Sequence, residues 1–375
     1  MTKVQYVTSL EQVAGLTPAE RDQLRNVSKR FAFRSNTYYL SLIDWNDPED
    51  PIRRIIIPDH HELDPWGILD ASCEGMYTVA PGLEHKYQFT AVLLANNLCG
   101  GFCRFCFRKR LFMNDNAEAT RDIGPALDYI RSHPQISNVL VTGGDPLLLS
   151  TAKLRSMLSQ LRAIDHVRII RIGSKIPAFN PHRILNDPDL VETLGEFSTP
   201  ERRVYLMAHF NHPRELTEPA LQVIERMLAA GIIVCNQTPL LKGVNSSPEV
   251  LGDLLNQLSY AGAAPYYVFQ VRPTLGNSCF VLPLEEAYCV FEQAKMRCSG
   301  LAKRARLVMS HATGKIEVVG MDAQHVYFRY HRAADPVENS RFLTCRRNPA
   351  AYWFDDYDEV VSESLVAPAV VPALN

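Results

Sequence analysis

Three cysteines stand within eight residues as Cys99-x3-Cys103-x2-Cys106, and Arg108, Lys109 and Arg110 follow directly. Three thiolates on one short loop can hold three corners of an iron–sulfur cubane. Such clusters normally take four cysteines, so a three-cysteine loop leaves one iron open to a small molecule. Structural zinc is the plainer alternative, but it takes four protein ligands, usually as two close pairs. No second close pair occurs: Cys73, Cys235, Cys279, Cys289, Cys298 and Cys345 are scattered singly. These six read as core hydrophobes or incidental residues. Nine cysteines so arranged are not a disulfide framework, and in a reducing compartment the cluster argues for metal or redox chemistry. A second candidate is Gly143-Gly144-Asp145 in "VTGGDPLL". Two glycines let backbone approach a ligand, and a carboxylate suits an ammonium group. On its own this tripeptide would be a turn.

Both motifs follow apolar runs that must position them. Strands are predicted at 90–97, 137–143, 167–173, 203–209, 231–237 and 266–271. Amphipathic helices are predicted between them, near 118–132, 151–164, 186–196, 215–230, 247–260 and 284–299. Continuous apolar runs suit buried parallel strands, and successive strand–helix units imply right-handed crossovers. Six units fall short of the eight in a closed barrel. The expected fold is therefore α/β, a partial (β/α)6 TIM-like barrel, with a doubly wound sheet as the alternative. Loops after the strands form the active face of such a barrel.

Residues 1–85 are expected to form an N-terminal helical arm. Its helix starts at Thr17 and Pro18, and 44–66 serve as a connecting arm. Residues 86–300 form the core. Residues 301–375 form a C-terminal extension: strands joined by a turn, then a weakly ordered stretch from "NPAAYWFDDYDEVVSE" into a Pro/Ala/Val tail. A formal charge of −2 gives no global basic field for nucleic acid or an anionic membrane. The apolar runs are too short to span a bilayer, and the first residues lack the apolar core of a signal peptide. A cytoplasmic location is expected.

The cysteine pattern, with aromatic Phe105 before the last cysteine, resembles the signature of radical S-adenosylmethionine (SAM) enzymes. The Gly-Gly-Asp element supports that likeness. It is closer to the lysine 2,3-aminomutase branch and runs over about residues 35 to 320, through "TYYLSLIDWNDPEDPIRR", "HVRIIRIGSKIP", "AHFNHPRELT", "CNQTPLLKGVN" and "PYYVFQV". The resemblance implies a [4Fe-4S] cluster on Cys99, Cys103 and Cys106, whose open iron binds SAM and from which a 5′-deoxyadenosyl radical is released. It implies Gly143, Gly144 and Asp145 at the SAM amino group, with Phe105, His209 and Gln237 in the same pocket. It also implies pyridoxal 5′-phosphate (PLP) on Lys315 of "SHATGKIEV", with Lys86 and Tyr87 near the phosphate. One further basic position of the family pattern there is Thr90 in this chain. The cofactors carry the hard chemistry, a shift of nitrogen from Cα to Cβ of an amino acid. Arg108 matches the family arginine on the substrate α-carboxylate, which a guanidinium fork bonds at two points. Lys109 is expected, and Arg110 allowed, at the solvated surface. An external electron donor such as flavodoxin or ferredoxin and a homo-oligomer are further implications.

The chain departs from the lysine enzymes where they grip the distal ammonium with two aspartates. Those places hold Arg272 and Val308. An arginine against an ammonium in a closed site is strongly unfavourable. An acidic amino acid such as glutamate is therefore the expected substrate class. A structural ion pair of Arg272 with Glu285 or Glu286 is the alternative for that residue. Some relatives carry a cysteine-rich zinc tail; only Cys345 lies in 345–375, so no zinc is expected. The expected activity is that of an isomerase, an aminomutase. Three alternatives stay open. One is the same barrel running another radical reaction without PLP, in keeping with Thr90 and the single glycine before Lys315. Another is a lysine aminomutase serving translation-factor modification. The last is a non-enzymatic electron carrier, against which the open iron and the large barrel argue.

Overall fold

The computed structural model describes residues 3–113, 116 and 118–365. The tail "VAPAVVPALN" (366–375) lies outside the described residues. Two short strands of the N-terminal arm, β1 (Tyr6–Val7) and β2 (Ser35–Asn36), pair antiparallel. The remaining described strands join one sheet of 13. It opens with β3 (Thr78–Ala80) and β4 (Leu83–Tyr87). Next come β5 (Thr90–Asn96), β6 (Asn138–Gly143), β7 (Ile169–Ser174), β8 (Val204–Ala208), β9 (Ile233–Pro239) and β10 (Ala264–Phe269). It ends with β11 (Arg306–His311), β12 (Gly314–Met321), β13 (His325–Ala333), β14 (Phe342–Arg346) and β15 (Val360–Ser364).

From β5 to β11 the strands run parallel and stand in strict chain order. Right-handed crossovers then put every connecting helix on one face. A doubly wound sheet needs a reversal of strand order, and none occurs here. Six strand–helix units lead into a seventh parallel strand, and the open, partial barrel they form is extended by antiparallel strands at both edges. Residues 306–311, expected only as part of a hairpin, are both things at once: β11 is parallel to β10 and antiparallel to β12. The six expected barrel strands match β5–β10 to within two residues at each end. The first helix begins at Gly124, later than expected. Ahead of it the Thr120 hydroxyl instead donates to the Asp122 carbonyl oxygen and accepts from the Asp122 N–H.

The N-terminal arm is part of the barrel wall. Helix Pro18–Arg30 opens with a reciprocal Thr17–Glu20 capping box. The stretch 44–66, expected as a plain connector, contains helix Pro51–Ile56, which buries Ile52, Ile55 and Ile56 completely. They pack in one cluster with Phe105, Phe179 and Phe280. Six residues are too few for helical periodicity to show in the sequence. The C-terminal stretch corrects a second expectation. Ala351, Trp353 and Tyr357 are buried against Phe328 and Leu343, and β15 pairs with β14. The acidic residues that made this stretch look solvated have local tasks. Asp356 accepts from the backbone of Tyr352 and Trp353.

One buried ion pair ties the arm to the cysteine loop. Arg104 donates to both oxygens of Glu62, each at 2.8 Å, with the two side chains 2% and 0% exposed. Arg104 also bonds the carbonyl oxygens of Phe31 and Ala32. Removing one partner strands a buried charge. Glu62→Ala is therefore expected to cost roughly 3–5 kcal/mol, read as a lower urea midpoint. Replacing both Glu62 and Arg104 with methionine should recover much of that loss.

Candidate active site

Loops at the C-terminal ends of the parallel strands enclose a cavity of about 340 Å³, and every residue predicted for the site lines it. The cysteine loop follows β5 and is held by the arm. Arg34 Nε donates to the Cys99 carbonyl oxygen at 2.8 Å, and Asn36 Nδ2 to that of Gly100 at 3.2 Å. The backbone of Phe102 donates to Arg34 and that of Arg104 to Ile55. None of these bonds uses a thiol, so all three sulfurs are left to the cavity.

The three cysteines fit a polynuclear cluster better than a lone ion. Among the described residues, three ligand atoms within 4.8 Å of one another occur only at Asp59, His60 and His61. The cysteines are thus spread more widely than ligands of one ion. Burial pushes all three thiols up, Cys103 to about 12. A group of high positive charge is needed to hold them as thiolates, as cluster iron does.

After β6 the chain turns at Gly143, whose φ is +116°. A Cβ there would meet the Asn96 carbonyl oxygen at 2.4 Å, and one on Gly144 would meet that of Leu98 at 2.1 Å. The glycines therefore let this loop lie against the cysteine loop. The Asp145 carboxylate is fully engaged by protein. It accepts from the Ser174 hydroxyl and from the backbone N–H groups of Leu147, Lys175 and Ile176. These bonds staple the loop after β6 to the loop after β7, at a position that also lines the cavity. Burial still raises it to about 6, against those four donors. His209 packs edge-on to Phe105, with ring centroids 6.0 Å apart. Burial, and then Lys175, hold the imidazole down to about 3, so it is neutral. Lys175 Nζ donates to the His209 carbonyl oxygen, Asn211 Oδ1 and Glu215 Oε1, and Tyr39 also donates to Glu215. Sequence reasoning quoted the stretches "GSKIP" and "FNHPREL" without isolating this network.

Lys315 is the second residue of β12, within the strand and beyond the turn. Its ammonium nitrogen donates to Ser310 Oγ at 3.1 Å and lies 4.9 and 4.7 Å from the ring centres of Tyr267 and Phe269. Burial, then Arg272, Arg332, Arg171 and Lys86, push its pKa well below the ordinary lysine value. From β11, Ser310 lines the cavity and Val308 does not. The residue that β11 presents to the cavity, beside Lys315, is therefore a hydroxyl rather than valine.

At the remaining end, Arg108 Nε and Nη2 grip both oxygens of Glu74, at 2.9 and 2.8 Å. Glu84 stands 3.4 Å from Arg108. Arg272 lies over the Phe107 ring at 3.6 Å and 3.5 Å from Glu74. Its expected alternative partners are elsewhere: Glu285 pairs with Arg347 and Glu286 is exposed. Burial would raise the Glu74 carboxyl, but Arg108, Arg272 and Arg110 overcome it and hold it well below the usual range. Burial wins at Glu84, which is raised to about 7. Lys109 and Arg110 are both buried, correcting the surface expectation. Lys109 Nζ donates to the carbonyl oxygens of Arg104 and Gly276; Arg110 pairs with Glu74 and Glu118. Sequence reasoning missed Glu74, Glu84, Arg171 and Arg332. The arginines carried a signal, since each interrupts an apolar or aromatic strand.

A parallel partial barrel with three cysteines after its first strand and a glycine turn after its second defines a radical SAM enzyme. Residues 94–255 match the Radical SAM superfamily. The chain is 54% identical over 362 residues to a protein of Aquifex aeolicus (strain VF5) with the provisional name L-lysine 2,3-aminomutase, covering 96% of this chain and 97% of that one. It is 36% identical over 301 residues to the L-lysine 2,3-aminomutase of Clostridium subterminale, covering 80% and 71%. It is 32% identical over 302 residues to the glutamate 2,3-aminomutase of Clostridioides difficile (strain 630), covering 80% and 63%. The chain belongs to the radical SAM aminomutase family that holds the lysine and glutamate 2,3-aminomutases, and it is an isomerase with a [4Fe-4S] cluster, SAM and PLP as cofactors.

Bound together, cluster and SAM supply a 5′-deoxyadenosyl radical, and PLP supplies an aldehyde that holds an amine. The protein's share is positional. Asp145 fixes the loops after β6 and β7 to each other, and Lys175 fixes the loop carrying His209. Ser310 Oγ accepts from Lys315 Nζ and so aims it into the cavity. Among the described residues, no helix is long and apolar enough to cross a membrane.

Proposed function

We propose that the enzyme catalyses a 2,3-amino shift on an α-amino acid with an anionic side chain, glutamate or a close analogue. The observation that carries this is Arg272, a half-buried guanidinium in the cavity wall where a second carboxylate would sit. The charge balance supports it: seven lysine and arginine side chains line the cavity against three carboxylates. In this reading Arg108 holds the α-carboxylate and Arg272 the distal one, while Lys315 anchors PLP. Cys99, Cys103 and Cys106 hold the cluster; Gly143, Gly144, Phe105, His209 and Gln237 border SAM. A flavodoxin- or ferredoxin-type protein donates the electron, and the enzyme works as a cytoplasmic homo-oligomer.

Lysine itself is the second reading. Glu84 favours it, as a carboxylate in the cavity wall that a cationic side chain could approach. Mass-spectrometric assay of the reconstituted enzyme with glutamate, aspartate and lysine separates the two. The proposal expects a β-amino isomer from an acidic substrate. Arg272→Asp should lower that turnover about 30-fold or more, with SAM still bound. Turnover of lysine alone, or an Arg272→Asp enzyme as active on the acid as the parent, would refute it.

A further inference from the structure

The cavity end around Lys315 holds cations without acids. Lys315 and Arg332 stand directly opposite each other on the antiparallel pair β12–β13. Arg171 enters the same cavity from β7. A fixed positive charge directly opposite on a ladder disfavours the charged form of the lysine across from it. Among the described residues, neither arginine makes an ion pair. Arg332 Nη2 donates to Thr90 Oγ1 at 2.7 Å, and its guanidinium lies 4.2 Å from the Tyr87 ring centre. Arg171 Nε donates to Asn138 Oδ1 at 2.9 Å. Lys86 Nζ donates to the His311 carbonyl oxygen and lies over Tyr77. Glu74, the strongest acid of the cavity, is gripped by Arg108. Sheltered cations without carboxylates are costly unless an anion joins them.

We propose that Arg332, delivered by the C-terminal extension, holds the phosphate of PLP, with Thr90 Oγ1 and Arg171 beside it. Thr90 offers a hydroxyl and no charge. Arg332, 242 residues further along the chain, brings a guanidinium to that hydroxyl. Thr90 takes one Nη2 hydrogen, which leaves the second Nη2–H together with Nη1 for phosphate oxygens, a pair suited to arginine. Tyr87 stacks beneath the guanidinium and fixes its plane. Lys315, across the ladder, is then placed to meet the aldehyde of the same molecule. The extension thereby supplies both the covalent and the ionic anchor of the cofactor.

The inference rests on PLP as cofactor and on Lys315 as its lysine, and it is independent of the substrate reading. The test compares PLP with pyridoxal, the same aldehyde without phosphate, on the cluster-loaded enzyme. Binding is followed by absorbance and by borohydride trapping at Lys315. The parent enzyme should bind PLP about 100-fold more tightly than pyridoxal. Arg332→Ala should lose that preference while its pyridoxal affinity stays within about 3-fold of the parent's, and Arg332→Lys should restore part of it. An Arg332→Ala enzyme that keeps the preference would overturn the proposal. Equal weakening of both ligands would overturn it as well, since it would mark a merely structural role. No aldehyde trapped at Lys315 in the parent would do the same. Failure of the substrate reading would show in turnover and leave these affinities unchanged.

Discussion

Replacing Cys103 with alanine is expected to leave a folded protein that cannot hold an intact four-iron cluster and releases no 5′-deoxyadenosine from SAM. The loop around Cys103 does not depend on its thiol. Backbone bonds from Phe102 to Arg34 and from Arg104 to Ile55 bracket the residue, and the Arg104–Glu62 pair locks the next side chain in place. The fold should therefore survive. The cluster should not, because in the proposed site each of the three sulfurs would carry one iron corner, and among the described residues no fourth cysteine lines the cavity. SAM cleavage should fall by roughly 10³-fold or more, since no other group in the cavity can deliver an electron to SAM. Iron and sulfide analysis, the reduced-state paramagnetic signal and chromatography of 5′-deoxyadenosine measure the three consequences. Cys289→Ala is the control. Cys289 is exposed on the helix Leu284–Met296, and its loss should change none of them. A Cys103→Ala enzyme with full iron content and normal SAM cleavage would assign the cluster elsewhere.

What could be read from the sequence follows from which signals are local. Strands β5 to β10 each contain a short apolar run, as parallel strands covered by helices do, with polar residues such as Arg171 and Gln237 entering on the cavity side. The cysteine loop is local too, because its spacing alone fixes three sulfurs on one turn. The misses share a different cause. Asp145 looked like a free carboxylate because its four donors come from its own loop and the next one, a match visible only after the chain folds. Lys109 and Arg110 looked solvated because three consecutive cations usually are; their partners Glu62, Glu74 and Glu118 lie on other segments. Arg332 was passed over for the same reason. It stands in "HVYFRYHR", where alternation alone would place it on either face of a hairpin. Only its pairing opposite Lys315 shows which face. Long-range pairing also separates Val308 from Ser310: the sequence offset to Lys315 pointed to the first, and the ladder register places the second opposite the lysine.

Lys315→Ala is expected to abolish borohydride-trapped pyridoxyl label and to cut amino-shift turnover by roughly 10³-fold or more. Two lysines of the cavity compete for the role, and their surroundings decide between them. Lys86 is lowered to about 8, by burial and then Arg272, so it too has neutral amine near neutral pH. Its nitrogen, however, is held by the His311 carbonyl oxygen and by Tyr77. Lys315 Nζ contacts one hydroxyl and two aromatic rings, and all three leave a nitrogen lone pair free once the amine is neutral. Its pKa is pushed well below the ordinary lysine value, by burial and by four cations. An ordinary lysine near pKa 10.4 loses about tenfold in neutral amine for each pH unit below that value. Lys315 keeps its neutral form until pH falls through its own lowered pKa. Capture of the aldehyde should therefore fall less steeply than tenfold per unit as pH drops from about 9 to 7. A tenfold loss per unit across that range would mean that Lys315 is charged and needs another group to deprotonate it. Label on Lys86, retained in Lys315→Ala, would move the anchor to β4. Label lost in Lys315→Ala and kept in Lys86→Ala would tie the covalent step to β12, where the lysine is held by its strand register rather than by the mobility of a turn.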